Sequence, residues 1–111
     1  MYDGLVNAED VIADMTERIV RKFDPVEVIL FGSRARGDNR PDSDVDLLVV
    51  LDEVRDRREA RVAIGSELAH MPLPKSILVA TPADVARADE TYGTALRTGL
   101  REGRVLYRRA G

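Results

Sequence analysis

The sequence predicts an α/β (α+β) domain with a small mixed sheet of three to four strands flanked by helices. Two observations predict it. Apolar residues recur at three- and four-residue steps in some segments and form short continuous β-rich runs in others. Proline and glycine fall between these segments, giving the order α-β-(α)-β-α-β-α.

Each element has its own local reason. Asn7 with Asp10 three residues later resembles a capping box, and Val11, Ile12, Met15, Ile19 and Phe23 line one helical face until Pro25 ends it. Val26 to Phe31 (VEVILF) is a strand that stops at Gly32. Ser33 to Ser43 is polar, contains Gly37, Asn39 and Pro41, and reads as a turn of helix plus a loop. Asp44 to Leu51 (DVDLLVVL) is a second strand, apolar enough along its length to lie centrally with both faces covered. A helix over Arg55–His70 presents Ala60, Ala63, Ile64, Leu68 and Met71, and Pro72 and Pro74 close it. Ser76 to Ala80 is a third strand, followed by Thr81 as cap and Pro82 at the first helical position. A last helix spans Gly93 to Arg101 and stops at Gly103, before a short extended tail from Arg104 to Tyr107.

Composition narrows the function classes. A length of 111 residues suits one domain, 1–111, and 44% hydrophobic with 33% charged residues is a globular balance. Seventeen basic against twenty acidic residues, a net charge of −3, argues against broad nucleic-acid binding. Cysteine is absent and His70 is the single histidine, so disulfides, thiolate metal sites and multi-histidine zinc sites are excluded within the chain. A metal would sit on oxygen ligands, which suits Mg²⁺ or Mn²⁺. No apolar run approaches the ~20 residues of a membrane span, and no signal-like start is seen, so the expected compartment is the cytoplasm.

The chemistry lies in two motifs separated by a fixed interval, with ten residues between Ser33 and Asp44. Strand alternation puts Asp44 and Asp46 on one face, with Val45 on the other. Two carboxylates about 6–7 Å apart along a strand can share hard cations that bridge phosphate oxygens. Gly32 lets backbone approach a phosphate, Ser33 opens a helical turn with free N–H groups, and Arg34, Arg36 and Arg40 offer forked donors. A Gly-Ser turn alone is most often only a turn, and arginines in polar loops are normally solvated. The conjunction at this spacing should arise by chance on the order of once in a thousand such chains.

The stretch FGSRARGDNRPDSDVDLLVVLDE resembles the signature of the DNA polymerase β-like nucleotidyltransferase superfamily in its minimal form. The resemblance continues through SILVATPADV and ALRTGLREGRVLYRR, from about Val26 to Arg108. It implies a minimal nucleotidyltransferase (MNT) fold and Mg²⁺-dependent transfer of AMP from ATP, often onto a tyrosine of a HEPN toxin for which the MNT protein is the antitoxin. A hetero-oligomer with that toxin follows from such a pairing. By the same resemblance, Gly32 and Ser33 hold the triphosphate, with Arg34 and Arg36 in the same loop, and Asp44 and Asp46 are the catalytic metal ligands.

One position departs from the pattern. The third carboxylate of the family stands at the start of the next strand, and alignment on Ala80-Thr81-Pro82 places Ser76 there, preceded by Lys75. Serine is neutral, lysine repels a cation, and Asp84 lies past Pro82, out of reach. Two functional readings therefore stand: an enzyme that transfers AMP to a partner protein, or a catalytically weak or inactive nucleotide-binding antitoxin that acts by contact.

Overall fold

In the computed structural model, which describes residues 7–88 and 100–110, helices and strands alternate as the sequence predicts. They are α1 (Ala8–Phe23), β1 (Glu27–Phe31), α2 (Ser33–Arg36), β2 (Val45–Val50), α3 (Arg57–Leu68), β3 (Lys75–Ala80), α4 (Pro82–Ala86) and β4 (Arg104–Arg108). The strands form one mixed sheet in the order β3-β2-β1-β4. β1 is antiparallel to both neighbours, while β2 and β3 run parallel. A parallel pair needs a crossover, and α3 supplies it.

Local signals set the helix ends. Asn7 caps α1 by accepting from the N–H of Glu9 at 2.9 Å and of Asp10 at 3.4 Å, and Asp24 ends it in the left-handed region at φ 47°. Asp56 caps α3 through the N–H of Glu59 at 3.1 Å. Thr81 and Asp84 form a reciprocal capping box at α4, with Pro82 at its first position, as the Thr-Pro pair predicts.

The sheet is covered on both faces. On one, Val28, Leu30, Val45, Leu47, Val49, Ile77 and Val79 pack with Val11, Ile12, Met15 and Ile19 of α1 and Ile64 and Leu68 of α3. On the other, Ile29, Leu48, Val50, Ala80 and Ala88 form a smaller cluster flanked by Phe31, Leu78, Val85 and Leu100. β2 contributes fully buried residues to both, so its central, two-sided position holds. The alternation that sends Val45 and Leu47 to the larger cluster sends Asp46 to the smaller one's face, at the end of the strand away from α4.

Three expectations are corrected. Ala63 is exposed: Ala60, Ile64 and Leu68 follow one line along α3, with Met71 just past its end, and Ala63 sits about 100° round the helix from Ile64, beyond the covered stripe. The tail at Arg104 is a sheet strand, because β4 pairs with β1 across a bulge where Val28 faces Tyr107 and Ile29 faces Val105. The extra residue lets Leu106 and the adjacent Tyr107 both pack against the larger cluster. Ladder pairing also starts at Val45, one residue later than expected, leaving Asp44 exposed just ahead of the strand. Of the expected last helix, residues 93–99 lie outside the described residues; Leu100 to Glu102 are helical and the helix ends before Gly103.

Asp84 is fixed far from the start of β3. It is 1% exposed, accepts from the Thr81 N–H at 2.9 Å, and takes both guanidinium nitrogens of Arg57, with the Nη2–Oδ1 contact at 3.0 Å. Arg57 stays exposed while its guanidinium ties the start of α3 to the cap of α4. A carboxylate so buried and so partnered is held at the opposite end of β3 from Ser76.

Candidate active site

The two motifs meet in direct contact. Gly32 ends β1 with φ 75° and ψ −159°, a conformation essentially reserved for glycine. A Cβ at this position would collide with Oδ2 of Asp46 and stand 3.2 Å from its Cγ. The antiparallel register places Phe31 opposite Asp46, so the glycine that follows must pass over that carboxylate. Gly32 thus serves two ends: it turns the chain from strand to helix, and it leaves the space that the Asp46 side chain fills.

Ser33 opens α2, whose Ala35 and Arg36 N–H groups bond to the Gly32 carbonyl at 3.1 and 3.2 Å. The first N–H groups of such a turn have no acceptor within the helix and point outward. Gly37 closes it at φ 86° with its N–H on the Ser33 carbonyl, 2.9 Å away. Arg34 does not stand out from this turn as a phosphate-facing arginine. Its Nε donates to the Ser43 carbonyl and its Nη2 to the Pro41 carbonyl, each at 3.1 Å. The side chain folds back across the loop that follows α2, pinning the segment that delivers Asp44. Arg36 keeps the outward position. Its Nε lies 3.2 Å from Oδ2 of Asp38 and its Nη1 3.5 Å from Oε1 of Glu102. The sequence offered no sign of the second contact, because Glu102 is brought in only by the packing of the segment ahead of β4.

Burial pushes the Asp46 carboxyl above the ordinary aspartate range, and the charge of Asp44 pushes it the same way; Arg36 opposes both. The two aspartates therefore face one another closely enough to repel, as strand alternation requires.

The parallel register puts Ser76 directly beside Asp46, on the same face of the sheet. Ser76 is exposed. Lys75 points to the opposite face and donates from Nζ to the Met71 carbonyl at 3.1 Å, so the expected repulsion of a cation by this lysine does not arise. Strand alternation already carried that information. What stands beside Asp46 is a small neutral hydroxyl.

The family model of the nucleotidyltransferase domain matches residues 12–99. The chain belongs to the nucleotidyltransferase domain family. Among solved structures, a nucleotidyltransferase from Sulfolobus solfataricus is similar with a TM-score of 0.64 and 22% identity, over 90% of this chain and 79% of that one. The toxin–antitoxin MntA-HpeT, in a mutant form, gives a TM-score of 0.62 at 16% identity over 95% and 75%. A toxin–antitoxin solved with AMP-PNP gives 0.57 at 19% over 87% and 73%. A minimal nucleotidyltransferase gives 0.56 at 24% over 92% and 98%. No curated protein matches the chain significantly in sequence. The mixed sheet flanked by helices is thus the nucleotidyltransferase fold.

A nucleotidyltransferase domain implies a divalent cation, and the donors suit one of limited demand. Two carboxylates, one of them raised by burial and then by its neighbour's charge, suit a hard ion that takes its remaining ligands from phosphate and water. Among the described residues no group of three or more His, Cys, Asp or Glu side chains converges to hold a metal. Among the described residues, too, no helix is long and apolar enough to cross a membrane.

Proposed function

We propose that this nucleotidyltransferase domain binds Mg²⁺-ATP and transfers AMP to a hydroxyl of a partner protein, as the MNT-type antitoxin of a HEPN toxin. The observation that carries this reading is the contact of the Gly32 backbone with the Asp46 carboxylate, which unites a phosphate-approaching turn with an acidic pair. The turn at Ser33 and the guanidinium of Arg36 would receive the triphosphate, while Arg34 holds the loop. Asp44 and Asp46 would hold Mg²⁺ or Mn²⁺, which supplies neutralisation of triphosphate and pyrophosphate charge. In the transfer, a bond forms between the acceptor oxygen and the α-phosphorus as the α–β anhydride bond breaks. Pyrophosphate leaves, and the hydroxyl proton passes to solvent. The toxin–antitoxin neighbours, one of them solved with AMP-PNP, support the choice of partner class and donor.

Ser76 favours a second reading, in which the chain holds nucleotide but neutralises its toxin by contact with weak or no transfer. Incubation of the chain with Mg²⁺, α-labelled ATP and the product of the neighbouring gene separates the two. Label on the partner is the expected result. Silence from both the wild type and Ser76→Asp, with full neutralisation by an Asp44→Asn, Asp46→Asn variant, would leave contact as the function.

A further inference from the structure

We propose that Glu102 is a positioning residue that restrains Arg36 and so weakens triphosphate binding until a nucleotide displaces it. The inference rests on the Mg²⁺-ATP reading of the site. Arg36 is the arginine of the α2 turn that points outward, and it stands between two acidic groups. On one side is Asp46, whose carboxyl it steadies in the ionised form. On the other are Asp38 at 3.2 Å and Glu102 at 3.5 Å. Arg36 and Glu102 side chains are each 42% exposed, so their pair is solvent-screened and exchangeable rather than a fixed strut.

A triphosphate at Ser33 competes for the same guanidinium, because a phosphate accepts the forked N–H donors at least as well as a carboxylate. Glu102 opposes it twice, by occupying Nη1 and by repelling the incoming negative charge. Both effects have the same sign. The linkage is also reciprocal: a ligand that takes Arg36 from Glu102 must weaken the hold of Glu102 on the α2 loop. Glu102 ends the helical turn that Leu100 anchors in the smaller core cluster, immediately before Gly103 and β4. Nucleotide binding is thereby coupled to the entry of the last strand.

Calorimetric titration of Mg²⁺-ATP into wild type, Glu102→Gln, Glu102→Asp, Arg36→Gln and the Arg36→Gln, Glu102→Gln double variant tests this. Glu102→Gln should tighten binding about twofold to fivefold, the range of a half-exposed ion pair. Glu102→Asp, which keeps the charge, should stay near wild type, and the glutamine change should tighten binding clearly less once Arg36 is gone, because only the direct repulsion then remains. Amide exchange over residues 100–103 should quicken when wild type is saturated with Mg²⁺-ATP. An unchanged or weaker Kd for Glu102→Gln, or equal tightening in the Arg36→Gln background, overturns the proposal while leaving nucleotide binding intact. Wild type that binds no Mg²⁺-ATP overturns both.

Discussion

Ser76→Asp is expected to raise AMP transfer to the partner by about 10²–10³-fold, the gain of several kcal/mol that charge stabilisation by a metal site can provide. The size follows from the register: position 76 is the parallel neighbour of Asp46, on the same face and open to solvent, so the new carboxylate adds a third oxygen donor without displacing core side chains. Lys75 is turned to the other face and bonded to Met71, so it will not neutralise that carboxylate. Asp84 cannot take the same part, being buried between Thr81 and Arg57. The measurement is the initial rate of labelling with α-labelled ATP at saturating Mg²⁺. Ser76→Ala serves as the control for loss of the hydroxyl and should remain near wild type. A rate for Ser76→Asp no higher than for Ser76→Ala would mean that position 76 does not complete the site.

Gly32→Ala should both unfold the domain more readily and abolish nucleotide binding. Gly32 occupies a backbone region essentially closed to other residues, at a cost of about 1–3 kcal/mol for alanine. The new methyl also meets the Asp46 carboxylate, so the strand end, the α2 turn or the aspartate must move. A loss of about 2 kcal/mol lowers the melting midpoint of a domain this size by roughly 10 °C, readable by calorimetry or circular dichroism. Mg²⁺-ATP should then fail to recover that loss. Gly37→Ala is the comparison: its φ of 86° is similarly strained, yet a methyl there would meet no atom within 4 Å, so stability should fall while nucleotide binding survives.

Much of this was legible because it is local. The Gly-Ser break, the spacing to Asp44 and Asp46, the caps at Asn7 and Thr81 and the apolar run of β2 each depend on neighbours a few residues away. Alignment on Ala80-Thr81-Pro82 sets Ser76 at the start of the third strand, and the parallel register then pairs it with Asp46. Other features depend on contacts distant in sequence. Arg34 and Arg36 look alike in a polar loop, and only the path of the chain after α2 decides that one closes the loop while the other faces outward. The grip of Arg57 on Asp84 needs α3 and α4 brought together, and the bulge that seats Leu106 and Tyr107 leaves no mark in composition. The direction of Lys75, by contrast, follows from strand alternation alone once Ser76 is set on the face of Asp46.

Gly32, Ser33, Asp44 and Asp46 are expected to make one metal–nucleotide site, which thermal melts of wild type and Asp46→Asn can check. The raised carboxyl of Asp46 favours folding in its protonated form; that contribution is complete below the ordinary aspartate range and is lost as pH rises through the raised value. At neutral pH without metal, Asp46→Asn should therefore melt above wild type, with the difference closing on acidification. Mg²⁺ with a non-hydrolysable ATP analogue at about 100 times Kd should add about 2.7 kcal/mol to wild type, roughly 10 °C, and leave Asp46→Asn almost unmoved. Equal shifts in both proteins, or no shift in wild type, would mean that these four residues do not form one metal–nucleotide site.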